Sequence, residues 1–117
     1  MMITVYGLKN CDTCKKALRD IAGAGLEHLF VDIRDEADLA TLVPLWLEQV
    51  EAKVLLNSRS TTWRNLSDAD KARAETDASA LLMAHPTLIK RPVIELDGAV
   101  FVSWSPAVKA AILGVNS

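Results

Sequence analysis

"YGLKNCDTCKKAL", residues 6–18, holds both cysteines of the chain, Cys11 and Cys14, three positions apart. Ahead of them lies Ile3 to Tyr6, a short β-branched and aromatic run closed by Gly7, which reads as a strand. Behind them the period becomes helical: Cys14, Ala17, Leu18 and Ile21 fall at i, i+3, i+4 and i+7, and Lys15, Lys16, Arg19 and Asp20 take the other side. Gly23 and Gly25 stop that helix. His28 to Ile33 reads as a second strand, so the chain opens β-α-β, and the handedness of crossovers makes the two strands a parallel pair.

Further along, Leu42, Val43, Trp46, Leu47 and Val50 form an amphipathic face, and Pro44 is tolerable if that helix begins near Thr41, because first-turn amides have no intrahelical partner. The polar run Asn57 to Thr62 is a loop by composition, with Trp63 and Leu66 anchoring it through a short turn. Ser67 to Met83 reads as a third helix, capped by Ser67 with Asp70, its apolar side built from Ala74, Ala78, Leu81 and Leu82. Strands return at Pro92 to Leu96 and Ala99 to Val102, joined by Asp97-Gly98, the dipeptide that type I′ turns favour. Ser105-Pro106 caps a closing helix with Ala107, Val108, Ala111 and Ile112 as its face. The order β-α-β, helical block, β-β-α is α/β and thioredoxin-like, one domain over residues 1–117 with an insertion at approximately 38–88.

A chain of 117 residues, half of them hydrophobic, can bury a sizeable core without help from a metal or a disulfide, which leaves the cysteines free for chemistry. Two cysteines are too few for a disulfide framework, and Met1-Met2-Ile3 lacks the features of a signal peptide. With no apolar run near the roughly 20 residues of a membrane span, a cytoplasmic location is expected. The net charge of -2 offers no field for direct nucleic-acid binding. The positive charge is nonetheless uneven: Lys9, Lys15, Lys16 and Arg19 crowd the cysteines, Arg59 and Arg64 lie in the middle, and Lys90-Arg91 precede a proline.

Cys11 falls where a strand ends and a helix begins, and there unbonded amides and the positive end of the helix dipole stabilise a thiolate. A free thiol ionises near ~8.5, and such a setting lowers it into the range ~3.5–7.5. Cys14, one turn on, lies on the apolar face, within reach of a small disulfide ring. Cys11 is therefore the expected nucleophile and Cys14 the expected resolving thiol, although two buried small hydrophobes would carry the same spacing. A zinc site wants four ligands, and only His28 and His85 could add to the pair, so no metal is expected.

"MITVYGLKNCDTCKKAL" (residues 2–18), "LLNSRSTTWRNL" (55–66) and "HPTLIKRPVI" (85–94), in this order, closely resemble the glutaredoxin-like arsenate reductase (ArsC) family. Within it they are most similar to the small bacterial branch of arsenate-reductase-related proteins, next to the transcriptional regulator Spx. The resemblance implies a thioredoxin-like fold with a helical insertion, a nucleophile at Cys11, and a cis Arg91-Pro92 bond facing it. It also locates departures. Where arsenate reductases carry serine and then arginine, this chain has Cys14 and Lys15. Their arginine after the "LL" pair appears as Asn57, with Arg59 two residues on, and their third arginine falls at Ser103-Trp104. Each charge-assisted hydrogen bond is worth about 1.5–3 kcal/mol, so losing two such donors argues against arsenate as the substrate.

The expected function is a thiol-disulfide or glutathione-dependent thiol reductase working through a redox-active Cys11/Cys14 pair. Lys9, Lys15, Arg59 and Arg91, with Pro92 holding the backbone, would bind an anion such as a glutathione carboxylate. Glutathione would be a co-substrate, with no bound cofactor, and the electron donor would be glutathione or a thioredoxin- or glutaredoxin-type protein. A monomer is expected. The alternatives are an Spx-like redox sensor that contacts RNA polymerase, and an arsenate reductase.

Overall fold

Ile3 and Val5 stand two residues apart on strand β1 (Ile3–Gly7), so both project to one side of it, and both are closed to solvent. The computed structural model describes residues 2–114. Around β1 the sheet runs β2-β1-β3-β4, with β2 (His28–Asp32) parallel to it, and β3 (Val93–Leu96) and β4 (Ala99–Val102) added antiparallel. The register pairs Val5 with Ile94 and Ile3 with Leu96, which carries one apolar row across the strands. Helices α1 (Asp12–Gly23) and α7 (Pro106–Leu113) supply Ala17, Ile21 and Ile112 to that row, and Trp104 completes the core. This is the α/β, thioredoxin-like order expected from the sequence.

Local chemistry sets the joints. α1 ends in a Schellman motif: Gly25 takes φ +75, its N–H donates to the Ala22 carbonyl, and the Leu26 N–H reaches back to Ile21. Asp97 (φ 50) and Gly98 (φ 87) both sit in the left-handed region, as a type I′ hairpin requires. Ser105 Oγ accepts the Val108 N–H at 3.3 Å, with Pro106 opening α7. One detail of α7 differs from the expected face. Ala107 and Ala111 are exposed, and the buried stripe is Val108, Ile112 and Leu113.

The described residues gather into two compact units, the sheet unit up to Ala37 and from Arg91 onward, and a helical unit over Asp38–Lys90. The helical unit contains α2 (Leu39–Gln49), α3 (Ala52–Leu55), α4 (Thr61–Arg64), α5 (Asp68–Thr76), α6 (Ala78–Ala84) and a 3-10 turn at Pro86–Leu88. α2 begins at Leu39, earlier than the Thr41 start expected from Pro44. The Asp38 carbonyl takes the N–H groups of Thr41 and Leu42, Asp38 Oδ2 accepts the Thr41 hydroxyl at 2.8 Å, and Pro44 lies inside the helix with its ring exposed. The expected single helix from Ser67 to Met83 is two. Asp77 (φ -153, ψ 60) closes α5 by donating its N–H to Arg73, and its carboxylate accepts the Ala80 N–H to start α6. An aspartate offers the backbone this second capping site, and here that outweighs continuation of the helix. Trp63 is half-buried in α4 with the Lys71 ammonium 5.9 Å from its ring centroid. Among the described residues no helix is long and apolar enough to cross a membrane.

Candidate active site

Cys11 is the N-cap of α1, and its Sγ accepts the Cys14 N–H at 3.4 Å. It is half-buried, whereas Cys14 is wholly closed to solvent. Burial alone would push the Cys11 thiol up. Hydrogen bonds from the Cys14 side chain and backbone N–H, a hydrogen bond from Arg91 and the Arg91 charge outweigh it, and the net pKa is lowered. Cys14 moves the opposite way, to about 12, first because of burial and then because its S–H donates to Cys11. Two thiols three residues apart therefore differ in kind: one is primed to ionise, the other to stay protonated.

Gly7 explains the depth of Cys14. A Cβ at Gly7 would lie 2.5 Å from Cys14 Sγ and 3.3 Å from Cys14 Cβ, so only a residue without a side chain lets α1 set its sulfur against the end of β1. Next to Gly7 on β1, Tyr6 donates its hydroxyl to Glu95 Oε1 on β3 at 3.2 Å, and burial followed by the Glu95 charge raises its pKa from the ordinary 10.0 to about 12.

These raised values carry a consequence for stability. An unfolded chain releases the Cys14 proton near 9.0 and the Tyr6 proton near 10.0, while the folded protein holds both to about 12. The stabilisation is fully present below pH 9 and is lost as the pH climbs through 12. Thermal melts from pH 8 to about 12 should show falling stability, and the Tyr6→Phe, Cys14→Ser double variant should show a shallower fall. An equally steep fall in the double variant would exclude these two groups as its source.

Cys11 opens onto a cleft of about 320 Å³ lined by Leu8, Lys9, Asn10, Asp32, Arg34, Asp35 and Arg91, all from the sheet unit. The cleft lies at the carboxyl ends of the parallel strands β1 and β2, which finish at the paired residues Gly7 and Asp32. Asp32 is 6% exposed, and its Oδ1 accepts the backbone N–H groups of Arg34 (2.8 Å) and Asp35 (2.9 Å). Those bonds, the Asp35 one foremost, outweigh the upward effect of burial and hold its pKa low, helped by the Arg34 and Lys9 charges. Among the described residues no group of three or more His, Cys, Asp and Glu side chains is arranged to hold a metal ion.

Of the residues singled out in the sequence, the cleft brings together Lys9, Cys11 and Arg91, and Pro92 is buried beside them after a cis Arg91-Pro92 bond. Lys15 is exposed on α1 and does not line the cleft. Arg59 belongs to the helical unit, where its N–H donates to Asn57 Oδ1 at 3.1 Å. Asp32, Arg34, Asp35 and Gly7 carry weight that the sequence reading did not give them. The available signal was positional, since two parallel strands end at 7 and 32 and such ends collect ligands.

Residues 6–112 match the ArsC family. The chain belongs to that family. An uncharacterised Haemophilus influenzae protein is 46% identical over 110 residues, covering 89% of this chain and 92% of its own. The solution structure of an arsenate reductase related protein from Brucella melitensis is 36% identical, with a TM-score of 0.76 over 95% of this chain and 93% of that one. A regulatory protein of Bacillus subtilis, MgsR, is 23% identical over 108 residues, covering 89% of this chain and 84% of its own. In this ArsC chain the Ser103-Trp104 position supplies no guanidinium. Trp104 is buried in the sheet core with its Nε1–H on Asp20 Oδ2 at 2.9 Å, and Lys109 approaches the same oxygen at 3.5 Å.

Proposed function

We propose that this ArsC protein is a glutathione-dependent thiol-disulfide reductase with Cys11 as nucleophile. The observation that carries the reading is the opposite displacement of the two thiols, Cys11 lowered and Cys14 raised to about 12. The Cys11 thiolate attacks one sulfur of a substrate disulfide, the S–S bond breaks, one substrate thiolate leaves with the electron pair, and a mixed disulfide remains on Cys11. A second thiolate must then attack that mixed disulfide. Cys14 is the intramolecular candidate, and its attack would leave a Cys11–Cys14 disulfide for a thioredoxin- or glutaredoxin-type donor to reduce. Burial is the largest cause of its raised pKa and persists after Cys11 has reacted, which favours an external glutathione thiolate as the resolving group.

Lys9 and Arg91 supply positive charge for an anionic ligand beside the sulfur. Arsenate is the weaker fit, because Arg91 is the one matched arginine of three and Trp104 occupies another's place in the core. Turnover of a glutathione mixed disulfide supported by glutathione, with thioredoxin as the comparison donor, tests the reading. Turnover should be faster with glutathione. If thioredoxin alone supports it, the donor assignment fails, and if neither does while arsenate is reduced, the reductase reading fails with it.

The likeness to MgsR, a regulatory protein, together with the resemblance to Spx, supports a second reading, a thiol sensor that contacts RNA polymerase. Pull-down of polymerase subunits that changes between reduced and oxidised protein would favour it.

A further inference from the structure

The Cys11 cleft is not simply basic. Lys9, Arg34 and Arg91 line it together with two carboxylates, Asp32 and Asp35. A site built for an anion alone is weakened by a carboxylate in its wall, since a like charge there repels the ligand. Asp32 cannot be dismissed as a solvated surface group, because it is 6% exposed. Its Oδ1 is occupied by the N–H groups of Arg34 and Asp35, whereas Oδ2 makes no hydrogen bond among the described residues. No ion pair joins it to Lys9 or Arg34 either. A carboxylate that is largely buried as a residue but keeps one oxygen with spare acceptor capacity, in a cleft that also presents cations, is complementary to a ligand of both signs.

We infer that Asp32 is a specificity residue of this cleft, accepting the ammonium group of a zwitterionic thiol of the glutathione class while Lys9 and Arg91 face its carboxylates. The inference rests on the reductase reading for the identity of the ligand class. It adds the requirement for a free amine, which separates amino-acid and peptide thiols from thiols that carry only negative charge. The loop bonds to Oδ1 have a second effect: they fix the carboxylate before the ligand arrives, so little side-chain entropy is lost on binding.

The test uses ligands that cannot react. S-methylglutathione and its N-acetyl derivative share carboxylates and shape and differ in the ammonium, and each can be titrated into the full-length protein by NMR. Wild type should bind the N-acetyl form about five- to tenfold more weakly, the size expected of one charge-assisted contact in a partly open cleft. Asp32→Asn keeps an oxygen for the two loop amides and should bind both ligands alike. Equal binding by wild type, no binding of either ligand, or a preference retained in Asp32→Asn overturns the assignment. If that variant fails to fold, the wild-type amide shifts of Arg34 and Asp35 decide, because the two ligands must then perturb them differently. The rate at which Cys11 forms a mixed disulfide with glutathione disulfide is measured separately. Selective binding without that reaction would remove the reductase reading and leave Asp32 as an ammonium site.

Discussion

Cys11→Ser should have no thiol transfer above background, while Cys14→Ser should retain transfer when glutathione is the donor. The expected loss at Cys11 is complete because a serine hydroxyl is not ionised at neutral pH and no other described cysteine reaches solvent. At Cys14 the argument turns on what the side chain contributes. Its S–H and its backbone N–H both donate to Cys11, and serine keeps both donors. Cys14→Ala keeps only the backbone one, so the Cys11 pKa should rise relative to both wild type and Cys14→Ser. Iodoacetamide labelling followed by mass spectrometry from pH 5 to 9 reads this directly. Wild type should be modified at Cys11 well ahead of Cys14. Labelling at equal rates, or transfer that survives in Cys11→Ser, would remove Cys11 from the role of nucleophile.

Gly7→Ala should lower the melting temperature by about 5–15 °C, the result of roughly 1–3 kcal/mol of overpacking in a domain of this size. The added Cβ meets Cys14 Sγ at 2.5 Å, and that sulfur has little freedom to retreat because Cys14 is fully buried and its helix is anchored by the fully buried Ala17 and Ile21. The clash has a specific remedy. In the Gly7→Ala, Cys14→Ala double variant the sulfur is gone and the remaining approach is the 3.3 Å one to Cβ, so the pair should be more stable than the sum of the single changes. Strict additivity in thermal melts would mean that the glycine is required for another reason, and a neutral Gly7→Ala would mean that β1 and α1 can separate at no cost.

Much of the sheet unit was legible because its signals are local. The change from period two to period 3.6 across residues 6–18, the Asp97-Gly98 turn and the Ser105-Pro106 cap each involve neighbours in the chain, and each appears where the sequence placed it. The helical unit was harder. Ala74, Ala78, Leu81 and Leu82 keep a helical period across Asp77, so the pattern hides the break, which depends on one carboxylate turning back to cap Ala80. Gly7 read as a strand end, and its close approach to Cys14 is invisible until strand and helix are packed. Asp32 fell inside the expected strand His28 to Ile33 and was not singled out. Its burial and its turn toward two loop amides follow from the chain beyond Ile33, which carries no periodic signal.

Every residue that lines the Cys11 cleft lies outside 38–90, yet the chain departs into that segment three residues after Asp35 and returns from it immediately before Arg91. Among the described residues the cleft is thus built from two stretches that are distant in the sequence and neighbours in the sheet. Cys11 and Arg91 therefore meet only once β1 and β3 have paired, so the lowered pKa of Cys11 is a property of the folded sheet and not of the Cys11–Cys14 stretch alone.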